Sequence, residues 1–479
     1  MLQYIGKDRV TQGSTLILNR KQALQLLRSR AKQGFRKAKR AGVTMEESRD
    51  LSLMARVWYD PATLPKSLRD DQKLYVAHIN GELVGAIIVT PISPNTLFYH
   101  FGGTSELGRQ HEVNAHMFWH IVEQFEGSQY EFLDVGVSFR RDLQHYFQKY
   151  CTHPYPIIFR PPAEDMQPKI TFRPFHTGHL HWTAGPMLPI NTSLVEFLGA
   201  EFTYLPGAEF AILSALKALD VEPGARVAVL SSLPESLPSP AVTDALDGYY
   251  QWTQKVHKDV RAILIHHRFG IPYQHLDQAL NHGLPVIELC LDSFDSLVGT
   301  QRIGTFGDFA VFDFTRIFPM QFGALLVGKY YEDQEVWDRF ACLDVDKRNE
   351  VREQLGLYWD TRPQLNSRRK ELWSEFHELF RLVGMEPVLP LDDTAIPSAF
   401  LFRALPMYPP RAIQERLRQF GITAEIDEKE GWVALPCHQL ITPQHRDYIF
   451  GAYRGMMNPC VDYVRPPSQS AKGAESTIS

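Results

Sequence analysis

Nine lysines and arginines fall between Arg20 and Arg40, with no aspartate or glutamate among them. Clustered cations lower the cost of bringing a polyanion close, so Arg28, Arg36, Lys37 and Arg40 are candidate ligands for phosphates or a diphosphate-linked substrate. Leu24, Leu27, Ala31 and Phe35 recur every three or four residues and Gly42 stands at a C′ position, so the run is expected to be helical and also reads as a solvated helix face. Imidazoles gather in two places. His176, His179 and His181 fall in a stretch rich in Pro, His and Gly from Arg160 to Pro189, without cysteine or carboxylate at metal spacing, so no metal site is expected. His266 and His267 close the run RAILIHH and read as strand-end residues. Cys151, Cys290, Cys342, Cys437 and Cys460 are scattered and odd in number, which excludes a disulfide framework and fits a reducing cytoplasm.

The elements that hold these groups must form more than one core. At 479 residues the chain passes the length at which one hydrophobic core keeps growing, so two or three domains are expected. Hydrophobic residues at 44% and charged residues at 22% are those of a folded globular protein. A net charge of −5 argues against a surface coated for nucleic acid. The N-terminal MLQYIGKDRV carries charge early, and no apolar run is long enough to span a bilayer, so neither export nor an integral membrane segment is expected.

Val286 to Leu289 and Asp308 to Phe314 are strand-length apolar runs separated by turns at Gly304 and Gly307, which predicts an α/β sheet with function at its strand ends. The passage VIELCLDSF…GTFGDFAVFDFTRI…GALLV resembles the DegT/StrS family of sugar aminotransferases, whose members read VIEDxAQ, GxFGDxxxFSF, then a lysine, then GGALV. Further likeness lies in TYLPGAEFAILSALKALDVEPGARV, RAILIHHRFGIP, RAIQERLRQFGIT and WVALPCH, so it covers about Leu194 to Met457. The resemblance implies a pyridoxal phosphate (PLP) site, in which the Asp of VIED pairs with the pyridine nitrogen and the lysine forms a Schiff base. Leu289 stands where it expects that Asp, Arg316 where it expects the lysine, and Ala208 where it expects a phosphate-binding hydroxyl. With Asp292, these form a degenerate PLP site. A guanidinium cannot form an imine, so PLP and aminotransferase activity are expected to be absent. The alternative is a PLP- or pyridoxamine phosphate (PMP)-dependent aminotransferase or dehydratase with altered cofactor handling. The family's interfaces also imply a C2 homodimer.

Asn80-Gly81 joins two β-rich runs between Leu74 and Thr90, the strongest short hairpin signal available. A strand at Leu97 to Phe101, a helix at Val113 to Phe125 and a strand at Tyr130 to Val135 follow. With Arg28 to Val43, Asn80 to Gly85, Asn114 to Met117 and Phe132 to Ser138, this order resembles the FemAB-like branch of the GNAT acyltransferases over about 140 residues. The resemblance implies an α+β domain that transfers an acyl group to an amine, with His100 and Asp134 as candidate bases and Asn114 as a substrate contact. Gly103, Gly108 and Arg109 lie where a phosphate loop for acyl-CoA belongs, and Phe147 replaces a family lysine.

The expected architecture is a GNAT-like α+β domain (1–165), a linker (166–193), a type I aminotransferase-like α/β large domain (194–385), a small α+β subdomain (386–462) and a disordered tail (463–479). The leading functional expectation is N-acyl transfer to an amine, such as an amino sugar or nucleotide sugar of envelope polysaccharide synthesis. Its partners would be a small-molecule acyl donor, acyl-CoA or another activated acyl group, and an amine acceptor, with tRNA as a donor the only role left to nucleic acid. A non-catalytic scaffold of the same pathway is the third reading.

Overall fold

A computed structural model describes residues 10–27, 29–58, 61–136, 149–151, 153–164, 167–174, 190–233, 236–328 and 344–457. Arg28, Phe147, His176, His179, His181, Cys342, Cys460 and the tail lie outside them. The chain is α/β and forms two compact units. Unit 1 comprises Met1–Gln167, Glu378–Glu386 and Pro443–Ser479; unit 2 comprises Pro168–His377 and Pro387–Thr442.

Unit 1 holds one sheet of β1 (Val10–Ile17), β2 (Thr44–Ser48), β3 (Lys73–Ile79), β4 (Glu82–Pro91), β5 (Thr96–Thr104), β6 (Phe132–Gly136) and β7 (His153–Ile158), in the order β2-β3-β4-β5-β6-β1-β7. Every neighbour pair is antiparallel except β5 and β6. Asn80 and Gly81 join β3 to β4 with φ of 52° and 81°. A two-residue I′ turn requires both to be left-handed, so the hairpin forms where these residues predict it.

The helix Val113–Phe125 buries Val113, Met117, Ile121 and Val122 in a core that includes Tyr75, Val84 and Leu133. The basic run forms two helices, Arg20–Leu26 and Ser29–Arg40, rather than one. Asn19 caps the first by accepting from the Gln22 N–H at 3.0 Å. The second buries only Ala31, Gly34 and Ala38. A Cβ on Gly34 would lie 2.3 Å from Glu112 Oε2 and 3.3 Å from Ala115 Cβ, so only a glycine lets the helix approach this closely. At the far end of the sequence, Phe450 of the helix Pro443–Met457 meets Tyr155 of β7 edge-on, with centroids 5.6 Å apart.

The main sheet of unit 2 contains β8 (Glu201–Leu205), β9 (Arg226–Ser231), β10 (Gln251–Thr253), β11 (Val260–His266) and β12 (Val286–Cys290). A two-residue pair, β13 (Leu297–Val298) and β14 (Gln301–Arg302), precedes its last strands, β15 (Phe309–Asp313) and β16 (Ala324–Gly328). The order is β10-β9-β11-β12-β15-β16-β8, with all neighbours parallel up to β15 and β16 antiparallel to both of its neighbours.

Parallel strands covered on both faces must be apolar on both. Ile287 and Leu289 of β12 accordingly enter the core under the helix Ala208–Ala218, while Val286 and Cys290 enter cores on the opposite face. A separate antiparallel sheet of β17 (Ala399–Arg403), β19 (Trp432–Pro436) and β18 (Glu425–Asp427) completes the unit.

Candidate functional site

Because β11, β12 and β15 run parallel, their C-terminal ends fall along one edge, where open α/β sheets bind ligands. β11 ends at His266, followed by His267, Arg268 and Phe269. The chain leaving β12 reaches Asp292, and β15 leads into a one-turn helix, Phe314–Ile317, that carries Arg316. Arg316 Nη1 donates to Asp292 Oδ1 at 2.9 Å, and its Nη2 donates to Glu425 Oε1 at 3.0 Å. Arg268 Nη2 reaches the other oxygen of Glu425 at 3.1 Å, while the Phe269 N–H donates to Asp292 Oδ2 at 2.8 Å. Beneath them the fully buried Arg369 donates to the carbonyls of Asp292, Arg316 and Ile317.

Burial, the largest single influence, would raise the Asp292 carboxyl, but the Arg316 guanidinium together with His266 and the Phe269 N–H holds the group below its ordinary value. His266 behaves oppositely. Burial, then the charge of Arg268, push it down to about 3, so its imidazole is neutral at physiological pH. Its side chain is fully buried, and neither ring nitrogen has a hydrogen-bond partner. Arg268 Nε and the Ser239 and Ser398 hydroxyls are likewise unpartnered. Buried polar atoms are nearly always satisfied, so this cluster has hydrogen-bonding capacity left for a ligand or water.

His267, Glu288 and Cys290 come close enough to suggest a metal, but His267 and Glu288 are already committed to hydrogen bonds. Glu288 accepts from the backbone N–H groups of Gly304, Phe306 and Gly307 and pairs with His267 Nε2 at 3.1 Å. The Tyr273 N–H donates to His267 Nδ1, which makes Nε2 the protonated nitrogen. The group is a structural lock on the turn before β15.

The degenerate PLP positions sit at or near this edge without the groups a covalent site needs. Leu289 is fully buried in the core, and Arg316 is committed to two carboxylates. Ala208 begins a helix whose N-cap Gly207 has the Glu209 carboxylate folded against it, 2.7 Å from where a Cβ would stand. A lysine-linked cofactor does not fit these residues. A non-covalent one finds a polar group in His266, which pairs in register with Leu289 on the adjacent strand.

In unit 1 the candidate residues are spread over several elements. His100 on β5 is partly buried and stacks on Phe101 with centroids 4.4 Å apart. Its Nδ1 lies 3.4 Å from Gln72 Nε2 and 3.3 Å from Thr90 Oγ1, and burial followed by the charge of Arg69 lowers its pKa. Asp134 is fully buried. It accepts from the Tyr155 hydroxyl and the Gly136 N–H, both at 2.7 Å, and pairs with the equally buried Arg454. These bonds engage both carboxylate oxygens.

Gly103 and Gly108 are explained by close backbone approach, since a Cβ would lie 2.3 Å from the Val57 carbonyl oxygen and 2.1 Å from that of Val84. Arg109 donates to the Thr104 carbonyl. Asn114 Oδ1 is buried without a partner, whereas Arg36, Lys37 and Arg40 are exposed. Sequence reasoning missed Arg268, Glu425, Arg369 and Arg454. Arg268 was findable beside the histidine pair; the other three are far from their partners in sequence, and no local pattern marks them.

The sheet order and strand-end cluster define an α/β architecture over unit 2 with a polar group of side chains at its strand ends. No family model and no curated protein matches the chain. Among solved structures, the aminotransferase TlmJ from Streptoalloteichus hindustanus is 18% identical, with 57% of this chain and 91% of that one covered and a TM-score of 0.47. Spr1654 of Streptococcus pneumoniae, described as a sugar aminotransferase and solved in PLP and PMP forms, is 17% identical in the PLP form, covering 61% and 100% at 0.48. PseC of Helicobacter pylori, an aminotransferase involved in the biosynthesis of pseudoaminic acid, is 16% identical, covering 61% and 99% at 0.47. At these identities the likeness is one of fold.

These neighbours correct several expectations. They are sugar aminotransferases, so acyl transfer as the main activity, the acyl-CoA cosubstrate and the acyltransferase character of the chain are withdrawn. The expectation that PLP and aminotransferase activity are absent is withdrawn as well, because neighbours include PLP and PMP forms. No helix among the described residues is long and apolar enough to cross a membrane.

Proposed function

We propose that unit 2 is an aminotransferase-type domain with altered cofactor handling, which holds a cofactor of the PLP/PMP class without a covalent bond and acts on a keto or amino sugar, in the manner of an aminotransferase or dehydratase. The single observation that carries this reading is His266, fully buried with two unpartnered ring nitrogens beside Leu289 at the strand ends. A cofactor of this class would supply an electron sink. Of this chain's residues, neutral His266 would give a ring atom a hydrogen-bond partner that Leu289 cannot, Asp292 and Arg316 would hold that edge rigid, and Arg369 would fix the backbone beneath them. The motif resemblance of β12, β15 and their turns supports the sugar substrate.

Titration of the full chain with PMP and with PLP, followed by absorbance and fluorescence, tests the reading. Saturable binding is expected for wild type, with at least a tenfold loss in His266→Phe and no pyridoxyl adduct at position 316 after borohydride reduction. Absence of saturable binding, or binding indifferent to His266→Phe, would overturn it.

The same proposal includes a homodimer formed through unit 2, which the exposed Phe210 and Tyr249 support. Sedimentation is expected to give a dimer at micromolar concentration, and a monomer there would remove this part. It also includes a reducing compartment, which the free thiols of Cys151, Cys290 and Cys437 support. For unit 1 only a fold kinship with the GNAT/FemAB type is proposed, supported by the lone parallel pair β5–β6.

A further inference from the structure

Unit 1 contains a cavity of about 160 Å³ between the two basic-run helices and the helix Val113–Phe125. Its wall is almost wholly apolar, with Leu24, Leu27, Phe35, Phe118, Trp119 and Val122 supplying most of it. Leu24 is 42% exposed, so the cavity opens to solvent beside an apolar lip.

The charges lining this cavity are Lys32 and Arg36, spaced i,i+4 and therefore on one face of the helix Ser29–Arg40. Arg36 is exposed and Lys32 half-buried, and neither forms an ion pair with an acidic side chain among the described residues. Of the neighbouring acids, Arg20 takes Glu126 through its backbone N–H and Glu123 through its side chain, and the Glu112 carboxylate lies against Gly34 of the same helix. The cavity thus joins an apolar interior to a rim carrying two cations.

Water is a poor occupant, because an ordered water needs two to four polar partners and this wall offers few. Apolar cavities of about 150 Å³ stay dry and take guests the size of benzene, which sets the scale at about six carbons. Two cations at the rim select the charge at the end of such a guest. We propose that this cavity binds a single aliphatic chain of about six carbons ending in a carboxylate, with the chain against Phe35, Phe118 and Trp119 and the head at Lys32 and Arg36.

Ligand-observed NMR titration of the full chain with butanoate, hexanoate, octanoate and 1-hexanol tests the proposal. From butanoate to hexanoate, affinity is expected to rise roughly fourfold per methylene, as burial of a CH₂ implies, and then to level off at octanoate. The double variant K32Q/R36Q is expected to weaken hexanoate about tenfold while leaving 1-hexanol unchanged. Filling the cavity with Ala31→Phe should abolish binding with an unaltered circular dichroism spectrum. Ala115→Phe serves the same purpose if the first variant does not fold.

No saturable hexanoate binding, or hexanoate and hexanol binding that respond alike to loss of the two cations, would overturn the proposal. So would binding to phosphatidylglycerol vesicles without binding of free hexanoate, since the basic helix would then be recognising a membrane surface rather than a free chain.

Discussion

Replacing Arg454 with methionine is expected to lower the stability of the chain by about 3–5 kcal/mol, the cost of leaving a buried charge without its partner. Arg454 is 1% exposed and Asp134 is fully buried, so water cannot take the place of the guanidinium. Tyr155 and the Gly136 N–H would still donate to Asp134, but neither carries a compensating charge. The double variant Asp134→Leu/Arg454→Met should recover most of the loss, because replacing a whole buried pair with apolar groups is often neutral or stabilising. Denaturant unfolding of the three variants decides the matter. A loss below about 1 kcal/mol in Arg454→Met would mean that the pair does not hold unit 1 together as described.

The second large effect is expected in unit 2. Arg316→Met leaves Asp292, 1% exposed, without its guanidinium partner, while Glu425, with a side chain 18% exposed, keeps only Arg268. A loss of about 3–5 kcal/mol at pH 7 is expected from the same cause. The pH dependence has a definite sign. In wild type Asp292 titrates below its ordinary value, so its contribution is present above the unfolded carboxylate pKa and fades as pH falls through the lower folded one. In Arg316→Met the sign reverses, because burial then raises the Asp292 carboxyl and folding takes up a proton. The deficit of the variant relative to wild type should therefore shrink between pH 7 and pH 4.5. A deficit that stays constant or widens would show that Arg316 does not set the charge state of Asp292.

Much of the fold could be read from local sequence because its signals are local. Asn80-Gly81 demands a left-handed turn, and the apolar runs before His266 and Cys290 can be buried only as strands covered on both faces. β1 and β7 were missed for an equally physical reason. Their residues, VTQGSTLI and HPYPII, show no clean alternation and are interrupted by glycine or proline, and pairing with β6 and with each other supplies what propensity does not.

The missing chemical groups at Leu289 and Arg316 were plain from type alone, because a motif specifies residue identity at each place. What replaced them was not plain. Arg316 takes its second partner from Glu425, 109 residues further on, and no periodicity reports a contact of that range. His266 looked like an ordinary strand end; its unpartnered ring is a property of the surrounding packing.

The guanidinium that neutralises Asp134 lies 299 residues beyond Tyr155, and the sequence of unit 2 is made in between. On a ribosome elongating at about 5–20 residues per second, roughly 15–60 s separate the synthesis of β7 from that of its charge partner. Throughout that interval the nascent first unit carries a carboxylate with no counterion and lacks the Phe450 ring that meets Tyr155. Its final closure is therefore timed by the synthesis of the helix Pro443–Met457, so the second unit has its whole sequence available for folding before the first can finish.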